Sequence, residues 1–314
     1  MGKIWTMGEL LVEIMRPRTS MPLEETGEFI GPFPSGAPAI FADTVSRMGH
    51  YAGIIGGVGK DGFGENILRR LIRDGVDCSN VIQCSEKSTA VAFVSYSEDG
   101  SRNFIFHIDG TSATECLIPE SIASDVDFFH VMGCSLMINE LLREKIIETA
   151  RRFHRNGVNI SFDPNIRFEL LRGDNIHSII GPLLEYVSIL MPGKEELLCV
   201  SGKNDPDEAY KHLLKTFGIS LVVMKKGKSG CRVYSPNQQI DILAPTVKEV
   251  DPTGAGDCFD AAFLCSLIEN KSLEECARIA SAIGALNAMK FGPMEGDFSP
   301  ILVNEMKSKT KLLH

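Results

Sequence analysis

The sequence predicts an α/β protein, a doubly wound and mostly parallel sheet with helices on both faces and a small β-rich lid. Two observations carry this expectation. Short β-rich runs alternate with longer helical stretches along the chain, which is the pattern of βαβ units. One stretch breaks the alternation with a hairpin signal. In order, the strand candidates are Ile4–Met7, Ala52–Val58, Phe128–Val131, Asn159–Phe162, Ser188–Met191 and Leu221–Lys225. The helix candidates are Ile40–Arg47, Gly64–Asp74, Glu140–His154, Asp207–Thr216, Asp257–Glu269 and Leu273–Met289. The exception is Thr89–Tyr96 and Asn103–Ile108, two β-rich runs flanking Glu98-Asp99-Gly100-Ser101 with Asp-Gly at the turn. An antiparallel insert in a βα series is either a lid over a site or surface decoration.

Bulk composition narrows the function classes. The 314 residues are 44% hydrophobic and 23% charged, ordinary for a globular chain with a full core. The formal net charge is -9 and no Lys/Arg run occurs, which argues against a nucleic-acid partner. No apolar run approaches the roughly 20 residues that span a bilayer. Met1 to Leu10 reads as a strand and lacks the charged start and long apolar stretch of an export signal. The nine cysteines are odd in number, scattered and free of C-x-x-C, which fits free thiols in a reducing compartment. The expectation is a cytoplasmic protein without membrane contact.

Three glycine-rich segments compete for a phosphate-binding role. Gly57-Val58-Gly59-Lys60-Asp61-Gly62 matches the spacing of a dinucleotide fingerprint after a strand. Asp61 and Glu65 would put negative charge where the pyrophosphate must sit, so the segment reads better as a tight turn with an acidic helix cap. Gly227-Lys228-Ser229 imitates the end of a P-loop, but the first glycine of that motif would fall on Val222. It reads as a turn between strands.

The third segment is the informative one: Asp251-Pro252-Thr253-Gly254-Ala255-Gly256-Asp257, followed by a strongly helical run. Small residues at a helix N-terminus leave the backbone N–H groups free to cradle an anion. A carboxylate beside an anion cradle would repel a resting phosphate. It makes sense as a base for a hydroxyl that attacks phosphorus, because phosphoryl transfer needs charge stabilisation and an oriented nucleophile side by side. The plainer alternative is an Asp N-cap on an ordinary helix.

With that segment the chain resembles the ribokinase-like (PfkB) carbohydrate kinases over nearly its whole length. Gly8-Glu9-Leu10-Leu11-Val12-Glu13, Ser35-Gly36-Ala37-Pro38-Ala39, Gly57 to Gly64, Phe162-Asp163-Pro164-Asn165-Ile166-Arg167, Lys225-Lys226-Gly227 and Asp251 to Asp257 occur in the family's order. The resemblance implies one ribokinase-like domain over residues 1–314, its lid built mainly from about 88–108 and about 13–34. It also implies ATP as donor, Mg²⁺, in some members a monovalent cation such as K⁺, and a sugar acceptor; the run Gly31 to Phe41 with Glu13 is similar to that of tagatose-type ketose kinases, and the overall build is similar to that of 2-keto-3-deoxygluconate kinases.

Carried over position by position, Asp257 is the expected base and the N–H groups of Gly254, Ala255 and Gly256 the anion hole. Glu13, Gly36, Ala37, Phe106, His107, Asn165 and Arg167 are expected at the acceptor. Lys225, Gly227, Gly230, Thr253, Gly254, Gly256, Ser281 and Asn287 are expected on the nucleotide side, and Glu196 and Asp251 at the metal. The chain departs from the family at three places: Ile40 stands where members commonly carry Asn, Ser35 replaces the first glycine of a pair, and Gly193 replaces the Asn of N-x-x-E. A nucleoside or sugar-phosphate acceptor, or a catalytically weak sugar sensor, are the competing readings. No basic cluster near Gly36 or Glu13 is evident to favour a sugar phosphate. Self-association through the lid is a further expectation.

Overall fold

A computed structural model describes residues 1–98, 101–119, 125–171 and 173–313; the expected Asp99-Gly100 turn lies outside them. Among the described residues the strands run in chain order as β1 (Lys3–Met7), β2 (Leu11–Met15), β3 (Ile30–Ser35), β4 (Tyr51–Gly59), β5 (Asp77–Cys84), β6 (Ala90–Tyr96), β7 (Arg102–His107), β8 (Phe128–Met132), β9 (Asn159–Asp163), β10 (Val187–Leu190), β11 (Leu221–Lys225), β12 (Cys231–Tyr234), β13 (Gln239–Leu243) and β14 (Lys311–Leu313). The large sheet has the order β14-β13-β12-β11-β10-β9-β8-β1-β4-β5. It is parallel from β5 to β11, and β12 to β14 add an antiparallel edge. Each expected strand and helix is present within a few residues of its expected bounds.

Burial explains why these runs are strands. All five residues of β8, Phe128-Phe129-His130-Val131-Met132, are buried, as a strand covered on both faces requires. Successive side chains feed two separate apolar clusters. Phe129 and Val131 pack with the helices Glu140–Arg155, Ile176–Leu184 and Pro206–Phe217. Phe128 and Met132 pack with Ala37–Arg47, Ala255–Ile268 and Leu273–Ala288. The fold is therefore the doubly wound one that the sequence predicts. Among the described residues no helix is long and apolar enough to cross a membrane.

The second sheet, β3-β2-β6-β7, has a parallel β2–β6 pair between two antiparallel ones. In β7 the residues alternate strictly. Arg102, Phe104 and Phe106 are half-buried, whereas Asn103, Ile105 and His107 are exposed. The sheet is fastened to the body where Tyr96 Oη donates to Asp251 Oδ1 at 3.0 Å and Arg102 Nη1 donates to Thr253 Oγ1 at 3.2 Å. At the rejected dinucleotide segment, Asp61 Oδ1 accepts from the N–H groups of Phe63 and Gly64, a helix cap as expected. Gly227–Ser229 forms a 3-10 turn between β11 and β12.

Candidate active site

A cleft opens between the inner face of the small sheet and the ends of β9 and β11, with the N-terminus of the helix Ala255–Ile268 at its floor. That helix starts where it does because Gly254 takes φ 76, a left-handed conformation that glycine enters without strain. A Cβ on Gly254 would also lie 2.4 Å from the Pro293 carbonyl oxygen. Gly254 and Gly256 line the cleft. Ala255 does not, and its N–H donates to Pro252 O at 3.2 Å. Of the three N–H groups expected in the anion hole, that of Ala255 is thus engaged within its own turn.

Asp257 sits in the first turn of this helix, buried and lining the cleft. Asn165 Nδ2 donates to its Oδ1 at 3.1 Å. Asn165 follows β9 and holds φ 37, a conformation that Asn tolerates better than most residues. Burial, reinforced by the negative charge of Asp163, pushes the Asp257 carboxyl up to about 7. Lys225, Arg167 and Arg102 act in the opposite direction. A carboxyl poised near neutrality is suited to accept a proton.

Behind Asp257 lies a buried ionic triad. Lys225 Nζ donates to Asp163 Oδ2 at 2.7 Å and to Asp260 Oδ2 at 2.8 Å. Burial opposes charge on all three groups. The Lys225 ammonium outweighs it at Asp163, whose carboxyl is held below its ordinary value, and not at Asp260, whose carboxyl is raised. The two carboxylates in turn hold Lys225 firmly protonated. Lys225 still lines the cleft as expected, but its charge is shared with Asp163 and Asp260.

The acceptor end brings together Glu13, Gly36, Ala37, Phe106 and Arg167, all anticipated, with Glu9, Arg102 and Phe104, which were not. Glu13 Oε1 accepts from Ser35 Oγ at 2.6 Å, so the serine that departs from the family's glycine anchors the acid. Glu13 Oε2 is buried with no hydrogen-bond partner among the described residues. Burial raises the Glu13 carboxyl, against Ser35 and Arg102. Glu9 accepts from Ser135 Oγ and Cys134 Sγ and is likewise raised by burial. The guanidinium carbons of Arg102 and Arg167 lie 5.5 and 5.9 Å from the Phe104 ring centre. Two arginines thus converge on one aromatic, although the sequence shows no basic cluster. The strand alternation counted back from Phe106 would have found Phe104 and Arg102.

Four expected site residues lie outside the cleft lining. His107 points to the exposed face of β7, because it is one residue out of phase with Phe106, and packs edge-on against Phe93. Asp251 is fully buried away from the cleft lining. Its oxygens accept from Tyr96 Oη, Thr253 N and Gly292 N, so it anchors the loop. Asn287 is also buried, and spends its side-chain amide on backbone groups. Ser281 faces Cys231, its Oγ 3.9 Å from the sulfur, outside the cleft lining.

Glu196 does line the cleft. Its two oxygens accept from Ile166 N at 2.8 Å and Gly193 N at 2.6 Å. Burial and Asp163 raise this carboxyl. Among the described residues no group of three or more His, Cys, Asp or Glu is arranged to hold a metal ion. Thr253 lines the main cleft. An adjoining shallow pocket is formed by Gly193, Lys194, Glu195, Glu196, Lys225, Lys226 and Ser229. Gly227 and Gly230 bracket the turn above it with φ 54 and 92, and a Cβ on Gly230 would lie 1.9 Å from Ile242 O.

Residues 7–299 match the profile described as "pfkB family carbohydrate kinase". Fructokinase-1 of Oryza sativa subsp. japonica is 29% identical over 298 residues, covering 91% of this chain and 92% of its own length. The Escherichia coli protein described as "putative Ribokinase II" in its apo form is 37% identical with a TM-score of 0.92, covering 98% of this chain and 99% of that one. Its complex with ATP and Mg²⁺ is 36% identical with a TM-score of 0.90, at the same coverage.

Proposed function

We propose that this chain, which belongs to the pfkB family of carbohydrate kinases, transfers the γ-phosphoryl group of ATP to a hydroxyl of a small ketose or keto sugar acid. The observation that carries the reading is the placement of Asp257 beside the glycine-rich helix N-terminus within one cleft. The acceptor oxygen forms its bond to phosphorus as the bond from phosphorus to the bridging oxygen of ADP breaks, and the hydroxyl proton passes to Asp257. The floor of the cleft at Gly254 and Gly256 receives the charge on the transferring group. Lys225, fixed by Asp163 and Asp260, adds positive charge from behind.

The donor set suits Mg²⁺ carried in largely by phosphates, since that ion needs only one or two protein carboxylates. Glu196 is the cleft carboxylate placed to assist, and the ion supplies neutralisation of phosphate charge. The shallow pocket beside it, with Lys194, Lys225 and Lys226, is the place for the nucleotide phosphates.

Within the acceptor class, Arg102 and Arg167 favour a sugar acid. Guanidinium groups bind planar oxyanions in a fork, and both of these side chains line the cleft beside the acceptor residues. The unpartnered Glu13 Oε2 is set to accept from a sugar hydroxyl. Measured ADP release with ATP and Mg²⁺ over ketoses, aldoses, keto sugar acids, sugar phosphates and nucleosides tests the proposal. Turnover highest on a keto sugar acid supports it in full. Turnover on a nucleoside alone, or none on any sugar while ATP still binds, overturns it.

Self-association through the lid belongs to the same proposal. The outer face of the small sheet aligns Ile14, Phe93 and Ile105 across β2, β6 and β7, with Phe29 and Ile30 exposed nearby. An apolar sheet face ending in a free strand edge suits a second copy of the chain.

A further inference from the structure

The anion-binding turn does not hold itself. It rests on the loop 290–297 that follows the helix Leu273–Ala288. Pro293 O presses against Gly254 so closely that a Cβ there would lie 2.4 Å away. Gly292 N donates to Asp251 Oδ2 at 2.9 Å, while Asp251 Oδ1 accepts from Thr253 N at 3.0 Å. One fully buried side chain ties these pieces together. Asn287 Nδ2 donates to Thr253 O at 2.8 Å and to Pro293 O at 3.1 Å, and its Oδ1 accepts from Gly296 N at 3.2 Å. On its far side the loop is gripped by Arg47, which donates to Met294 O and Gly296 O, and by Arg70, which donates to Met294 O and Glu295.

We infer that Asn287 is a positioning residue for phosphoryl transfer, fixing the turn Asp251–Gly254 so that the helix N-terminus is set for the charge of the transferring group. An amide is the side chain that fits. Two carbonyl oxygens, Thr253 O and Pro293 O, need donors, and an N–H needs an acceptor, all out of water. Ala in its place leaves those carbonyls unpaired and lets the Thr253–Gly254 peptide turn. Asn287 is buried outside the cleft lining, so its loss acts through the turn. The inference rests on the kinase reading above.

The test separates the transition state from the ground state. ADP with aluminium fluoride places a flat anion where the transferring phosphoryl group sits, so its affinity reports the anion hole. ADP alone reports nucleotide binding. For Asn287→Ala, kcat is expected to fall by about 10- to 100-fold, the range seen when a residue that orients a reacting group is removed. The KM for sugar and the affinity for ADP should stay within about twofold, and the affinity for ADP with aluminium fluoride should drop in parallel with kcat. Should Asn287→Ala not fold, Asn287→Thr, which keeps one donor, is read by the same split. A kcat per folded molecule within about twofold of the parent, or equal losses for ADP and ADP with aluminium fluoride, would overturn the inference. A parent protein that turns over no sugar at all would instead remove the kinase reading.

Discussion

Asn165 Nδ2 lies 3.1 Å from Asp257 Oδ1, so the segment after β9 holds the carboxyl that begins the helix Ala255–Ile268. The two residues are far apart in sequence, and only the fold brings a strand end and a helix start together. Replacing the carboxylate by its amide keeps that packing and removes the proton acceptor. Asp257→Asn should therefore retain its melting temperature and ATP affinity, while kcat falls by about 10²- to 10⁴-fold. A steady-state assay paired with ATP titration checks this, and an unaltered kcat would show that another group takes the proton.

The pH dependence has a defined sign. The Asp257 carboxyl is raised from 3.8 to about 7, and it must be ionised to accept a proton. Activity should fall as pH drops through about 7 and level off above it. Asn165→Asp would place a second carboxylate against the first, and two carboxylates sharing a site raise one apparent pKa. The acidic limb should then move upward, with kcat depressed at pH 7 and recovering at higher pH. Profiles of kcat for both proteins decide it; an unmoved limb would mean that the 3.1 Å contact does not govern the base.

Arg102 and Arg167 flank Phe104 at the acceptor end. If they hold an acceptor carboxylate, Arg102→Leu should raise the KM for the best sugar acid by about tenfold or more, because a charge-assisted hydrogen bond contributes about 1.5–3 kcal/mol. The KM for ATP and the residual rate on a neutral ketose should change little. Equal losses on acid and ketose would point to a role at the transferring phosphate instead.

Much of the fold was legible because it is written in local pattern. Central parallel strands such as β4 and β11 are largely apolar runs, whereas the parallel edge strand β5 is polar and was not anticipated, and connecting helices carry capping residues such as Asp61 and Asn139 that close hydrogen bonds within a few positions. β3 was less readable, since Pro32 and Pro34 argue against a strand and are tolerated only because β3 is a sheet edge. The site was legible where one segment supplies both cradle and base, as at Gly254 to Asp257. It was obscure where function depends on phase or on distant partners. His107 and Phe106 differ only in which face of β7 they occupy. Asn287 and Asp251 carry polar groups suited to a ligand, yet both bond to groups they meet only in the folded chain, such as Pro293 O for Asn287 and Tyr96 Oη and Gly292 N for Asp251. Asp260 gives no sign in the sequence of its bond to Lys225.

The outer face of the small sheet yields the last prediction. Ile105 is 45% exposed on the free edge strand β7 and pairs in register with Phe93, which in turn lies opposite Ile14. Apolar rows on a free edge are what proteins normally blunt with charge. Ile105→Lys adds charge to this face without entering the cleft, since Phe104 and Phe106 carry the inner face. If a second copy covers the row, the parent should elute from a sizing column at twice the chain mass of 34.4 kDa and the variant at that mass. Because Arg102 approaches the cleft from the same strand, losing the partner should also loosen β7 and raise the acceptor KM while leaving the KM for ATP near its parent value. A parent that runs as a monomer at micromolar concentration would refute the covered-face proposal, and the exposed row would then need another occupant.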